Sequence, residues 1–218
     1  MTAARSAVRS RVPGRDRTFS PARQYTAVAI LFALDGAVFG TWAARVPDVA
    51  ERVGASHSAL GTALFCVSLG ALISMRLTGT WCARFGPGRV ASVAGGLVAL
   101  SLVAPGFCSD LGALCAALTV FGAATGAANV AANSLGVELG QRRQRPVMSA
   151  LHALFSFGGL AGALLGGLAS TALSVPPHFT AVAVTGVVVA TAVRPVLRSL
   201  DSAAAPDPIP GSAAASGG

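Results

Sequence analysis

Residues 24–45, QYTAVAILFALDGAVFGTWAAR, carry a single charged side chain, Asp35, between a polar start and the closing Arg45. At about 1.5 Å per residue, a helix of that length crosses the roughly 30 Å of hydrocarbon in a bilayer. Five more stretches of the same kind follow, at about 58–80, 89–108, 111–136, 147–171 and 177–194. Pro47 and Ser56, Gly86-Pro87-Gly88, Pro105-Gly106, Pro146 and Pro176-Pro177 punctuate the breaks. The expected fold is therefore all-α and membrane-embedded, with six transmembrane helices.

Composition points the same way. Of 218 residues, 53% are hydrophobic and 11% charged, and the mean hydropathy is +0.67, which excludes an ordinary water-soluble domain. The net charge of +8 comes from sixteen arginines against eight acids. So basic a chain raises nucleic acid as a partner, but the arginines sit where a topology signal would put them, and no nucleic-acid partner is expected. Arg5, Arg9, Arg11, Arg15, Arg17 and Arg23 precede the first apolar stretch. Arg76, Arg84 and Arg89 flank the second connection and Arg142, Arg143 and Arg145 the fourth, whereas the third and fifth hold only Asp110 and His178. Both termini are expected in the cytoplasm. In the first connection Arg45, Asp48, Glu51 and Arg52 balance, and Asp48 and Arg52 are spaced to pair on a short external helix.

Residues 1–23 mix Arg, Ser, Pro and Gly without apolar periodicity and read as a disordered cytoplasmic tail near anionic headgroups. Residues 24–195 form the transmembrane domain, and 196–218 a low-complexity cytoplasmic tail without a seventh apolar stretch. The Arg-rich start followed by an apolar run resembles a signal peptide, but the run exceeds such a segment's length and reads as a retained helix. Cys66, Cys82, Cys108 and Cys115 form no C-x-x-C pair, so they read as packing residues, with no metal site and no cofactor expected.

Ser58-Ala59-Leu60-Gly61-Thr62-Ala63-Leu64-Phe65 is echoed by Ser149-Ala150-Leu151-His152-Ala153-Leu154-Phe155, and Val38-Phe39-Gly40 by Val120-Phe121-Gly122. These echoes predict that stretches one to three and four to six are inverted repeats. Asp35 lies about 16 Å along the first helix, near the midplane, where a lone carboxylate costs several kcal/mol unless protonated or paired. It is the first functional candidate, as a proton carrier or a solute ligand, against the alternative of a carboxyl hydrogen-bonded for packing. On the fifth helix Gly158, Gly162 and Gly166 form a small-residue ridge expected to seat another helix and to leave a partner surface unfilled. Ser149, His152, Ser156, Gly159 and Ala163 share the neighbouring face. His152 is a candidate gate or proton relay, or simply a histidine bonded to a neighbouring group.

Two runs carry a family resemblance. One is Phe39-Gly40-Thr41-Trp42-Ala43-Ala44-Arg45-Val46-Pro47, and the other extends from Arg145-Pro146-Val147-Met148 to Ser156-Phe157-Gly158-Gly159. Over residues 24–195 the chain resembles the N-terminal six-helix half of a Major Facilitator Superfamily transporter, half of a 12-helix fold, and within that family a YbjJ-like bacterial branch. The superfamily's cytoplasmic turn, G-x-x-x-D-R-x-G-R-R, is matched by Gly79, Arg84, Gly86 and Arg89, with Ala83 in place of the acid. The glycines are expected to permit the tight turn.

The resemblance implies a cavity lined by helices one and four. That makes Asn129 and Asn133, which share a stripe with Gly122 and Gly126, candidates for hydrogen-bonding a solute, or else interhelical ties. Thr125, at the depth of Asp35, and Ser156 complete the candidate set. The implied function is transmembrane transport of a small solute, secondary active or facilitative, and no enzymatic activity. An intramembrane serine protease lacks support, because Ser156 has no G-x-S-x-G turn and shares its helix with His152. Since alternating access rocks two such halves, three states of the chain are open: a shortened product, a half that pairs with a copy of itself or a second chain, or a non-transporting scaffold.

Overall fold

A computed structural model describes residues 19–202, and among them all regular structure is helical. Six helices are long and apolar enough to cross a membrane: α1 (Pro21–Arg52), α2 (His57–Phe85), α3 (Pro87–Phe107), α4 (Leu111–Arg143), α5 (Met148–Ser170) and α6 (Val175–Ser202). The helical hydrogen-bond pattern is interrupted once inside α3, at Leu102, whose dihedrals stay helical. Starts are set by side-chain caps: Ser56 Oγ accepts the Ala59 N–H and Asp110 Oδ1 the Ala113 N–H, each satisfying a donor the first turn leaves free. Gly86, at φ +89°, makes the tight turn between α2 and α3, and Gln144, at φ 50°, ends α4.

Several helices outrun their apolar stretches. α1 continues past Arg45 and through Pro47 to Arg52, α4 runs to Arg143, and α6 runs through Pro195 to Ser202. Hydropathy stops at the edge of the hydrocarbon, but hydrogen bonding does not, and the overhanging turns keep an apolar side. Val49, Leu139, Leu197 and Leu200 are all buried. The short external helix expected around Asp48 is thus the end of α1, and Asp48 pairs with Arg45 rather than Arg52. Arg76 and Gly79 likewise lie inside α2, and a Cβ on Gly79 would meet only open space. Residues 21–23 and 196–202, expected in the tails, belong to α1 and α6, while residues 1–18 and 203–218 lie outside the described residues.

The helices pair in a pattern that maps onto itself. α1 packs on α5 as α4 packs on α2, α1 on α6 as α4 on α3, and α3 on α6. Exchanging the first three helices with the last three preserves each of these pairs, and three being odd, the second set starts from the opposite side of the membrane. The glycines fix the register. A Cβ on Gly40 would strike the Gly159 carbonyl and one on Gly122 the Val67 carbonyl, while Gly162 meets Ala37 and Gly70 meets Thr119 in the same way. Gly40 therefore corresponds to Gly122, as the Val-Phe-Gly echo suggests, and Gly70 to Gly162. The Ser58 and Ser149 echo is out of step with this register by about one to two residues.

The ridge on α5 is occupied, not open. Gly158 and Gly162 sit against the Ala33 and Ala37 carbonyls of α1, so the inference of an unfilled partner surface there is overturned. Close backbone approach is how membrane helices gain packing when burial from lipid offers no hydrophobic gain. The apolar surface left exposed lies elsewhere, for example at Phe65 and Leu72 of α2 and at Phe157 and Leu168 of α5.

Candidate functional site

Two buried apolar clusters divide the bundle along its length. One gathers Trp42, Phe121 and Phe179 with Leu114 and Leu118; the other gathers Phe32, Leu135, Leu151 and Leu197, nearer the termini. Asp35 sits on α1 between the two, one turn from Phe32 and two from Trp42. Trp42 lies 6.0 Å from Phe121 and 6.3 Å from Phe179, centroid to centroid, which joins α1, α4 and α6 on the side away from the termini.

A cavity of about 50 Å³ opens in the gap, with Asp35, Asn129, His152 and Phe155 among its lining residues. It has room for water, which needs only about 10–15 Å³ of such space per molecule. Asp35 Oδ1 is buried there without a hydrogen-bond partner among the described residues. A polar oxygen so placed is costly until a proton, a water or a solute reaches it. Glycines build this geometry. A Cβ on Gly36 would strike the Phe155 carbonyl, so its absence lets α5 carry His152 and Phe155 up to α1. A Cβ on Gly95 would strike Leu31, so α3 closes in as well.

Asn133 Nδ2 donates to Asn129 Oδ1 at 2.9 Å, one turn along α4. The pair holds Asn129 in place and leaves its own NH2 without a partner among the described residues, hence available to an acceptor in the cavity. Gly122 and Gly126, earlier on the same stripe, serve packing instead, against α2. His152 is exposed on one side and meets Phe32 edge-on at 5.4 Å.

The other sequence candidates do not converge on this cavity. Thr125 Oγ1 donates to the Gly122 carbonyl of its own helix at 3.0 Å, and Ser156 is exposed on α5 outside the lining. In the turn between α2 and α3 only Gly86 has a positive φ. Gly79 takes no part in that turn. Arg84 lies over the Phe85 ring at 5.3 Å. A carboxylate does reach the turn, but from the far end of the chain: Asp201 accepts the Gly88 and Arg89 backbone N–H groups.

Sequence reading missed one buried cation. Arg45 is only 2% exposed; its Nε lies 2.7 Å from Asp48 Oδ2, and its Nη2 donates to the Leu173 carbonyl at 2.8 Å. This ties the end of α1 to the connection between α5 and α6. The i,i+3 spacing of Arg45 and Asp48 was the available signal, and it competed with the equally plausible Asp48 and Arg52 pair.

These features can be set beside known proteins. The model of the Major Facilitator Superfamily matches residues 27–215. An uncharacterized transporter of Sinorhizobium fredii, y4wD, is 38% identical over 160 residues, 72% of this chain and 42% of that protein. An uncharacterized MFS-type transporter of Yersinia pestis is 34% identical over 140 residues, covering 64% and 36%. The membrane protein MosC of Rhizobium meliloti is 30% identical over 165 residues, covering 75% and 40%. The chain thus spans about two fifths of the length of these relatives. With a family match over most of its length and six helices of spanning length, the chain belongs to the Major Facilitator Superfamily.

Proposed function

We propose that this chain is one six-helix half of a transporter moving a small solute across the cytoplasmic membrane of a bacterium, with the gap between its two apolar clusters as its share of the translocation path. The observation that carries the reading is Asp35, whose buried Oδ1 has no partner among the described residues in a cavity shared with Asn129 and His152. A carboxyl in that position earns its place by holding a proton or a solute group during transport. Asn129 supplies amide donors beside it, and Asn133 orients Asn129. His152, reachable from outside the bundle, serves as the relay to the cavity.

Both termini face the cytoplasm in this proposal, supported by Arg84, Arg89, Arg142 and Arg143 at one end of the bundle. One half is one wall of an alternating-access cavity, so a second six-helix unit, in the same polypeptide or another, faces it. The exposed apolar sides of α2 and α5 support that pairing. The test is Asp35→Asn in the assembled transporter reconstituted in vesicles. Uphill uptake is lost while membrane insertion and yield are retained; accumulation equal to that of the unaltered protein refutes the coupling role.

A further inference from the structure

A second concavity lies away from the Asp35 site, on the outer side of α2 and α3. It is a groove of about 360 Å³. Trp81 and Phe85, one turn apart on α2, make one bank; Arg89, Val93 and Leu97, successive turns of α3, make the other. Ala94 and Ala127 form a floor of small side chains, which is what gives the groove its depth. Its apolar banks stay open, with Trp81, Phe85, Val93 and Leu97 between 46% and 53% exposed.

Charge is confined to one end. Arg89 starts the α3 bank, and Leu97 lies about 12 Å further along that helix. Arg84 stands beside the same end, over the Phe85 ring at 5.3 Å. Neither arginine makes an ion pair among the described residues, where the pairs are Arg45 with Asp48 and Arg142 with Glu138. The nearby carboxylate, Asp201, is engaged by the Gly88 and Arg89 backbone N–H groups. An apolar trough closed by two cations at the membrane edge is complementary to an amphiphile with one anionic end.

We propose that the groove between α2 and α3 binds an anionic phospholipid, its phosphate between Arg84 and Arg89 and an acyl chain along Trp81, Phe85, Val93 and Leu97. Arginine suits the role because its planar fork bonds two phosphate oxygens at once. The two arginines select the headgroup, and the apolar banks hold any acyl chain alike.

Native mass spectrometry of the full chain, in detergent doped with equal phosphatidylglycerol and phosphatidylcholine, tests this. The unaltered protein is expected to retain phosphatidylglycerol at least fivefold over phosphatidylcholine. Arg89→Gln and Arg84→Gln each reduce that preference about fivefold, the worth of one basic residue near a charged surface. Val93→Trp, which fills the groove at an exposed position and leaves both arginines, lowers retention of both lipids. If one arginine variant fails to fold by circular dichroism, the other and Val93→Trp decide. Equal retention of the two lipids by the unaltered protein overturns the proposal. So does unchanged retention in Val93→Trp accompanied by loss of a dimer, which would make the groove a contact between copies of the chain.

Discussion

Asp201, in the last turn of α6, caps the first turn of α3 by accepting the Gly88 N–H at 2.7 Å and the Arg89 N–H at 2.9 Å. Gly86, which precedes that turn, has no side chain to do so, and a Cβ on either Gly86 or Gly88 would collide with Asp201. A carboxylate on free N–H groups at a helix N-terminus gains from both the hydrogen bonds and the helix dipole. Asp201→Ala is therefore expected to lower stability by about 1 kcal/mol, and Asp201→Asn by less. Thermal unfolding in detergent measures this; midpoints unchanged in both variants would remove the cap from the account.

The glycines divide into those that cannot grow and those, Gly79 among them, that can. Gly158→Val and Gly40→Val drive a side chain into a facing backbone, the Ala33 carbonyl in one case and that of Gly159 in the other, and are expected to abolish a monodisperse folded bundle. Gly79→Ala adds its methyl to open space in mid-helix and is expected to be neutral or to stabilise by up to about 1 kcal/mol. Fluorescence-detected size exclusion of the three variants reads the difference.

Trp42 is 3% exposed and contacts rings from two other helices. Trp42→Ala leaves a cavity among Phe121 and Phe179 and is expected to cost about 3 kcal/mol, while Trp42→Phe costs less than half of that. Chemical unfolding in mixed micelles measures both; equal small losses would mean the cluster repacks.

Arg45 makes contact with Asp48 and with the Leu173 carbonyl while almost wholly buried. Asp48→Ala strands a buried cation and is expected to destabilise by about 2 kcal/mol. Arg45→Leu combined with Asp48→Ala removes the stranded charge and is expected to recover part of the loss. A double-mutant cycle on the thermal midpoint gives the coupling, and additivity within error would show that the two side chains do not depend on each other.

Much of the fold was legible because bilayers impose a local rule: a spanning segment satisfies its own backbone and presents about twenty apolar residues. Asp35 stood out on that ground alone, as a charge inside such a segment. Arg45 did not, because an arginine at a membrane edge looks the same whether it is solvated or held by a carbonyl more than a hundred residues away. The stripe of Gly122, Gly126, Asn129 and Asn133 was visible as spacing, yet its first half packs on α2 while Asn129 reaches the cavity. Spacing along one helix does not say which neighbour each residue meets.

What the amino-acid sequence determined by itself is therefore segmental: the number of spanning helices, the breaks between them, the charge asymmetry of their connections and the presence of a carboxyl at mid-depth. Each follows from the free energy of a short piece of chain in water or lipid. Tertiary structure alone decided that α5 fills its glycine ridge with α1, that Asp201 rather than a residue near Ala83 serves the turn into α3, and that Asp35 and Asn129 meet in one void between two apolar clusters. Those outcomes depend on contacts between segments far apart in the chain, whose energies come from the fit of whole surfaces and are written in no single segment.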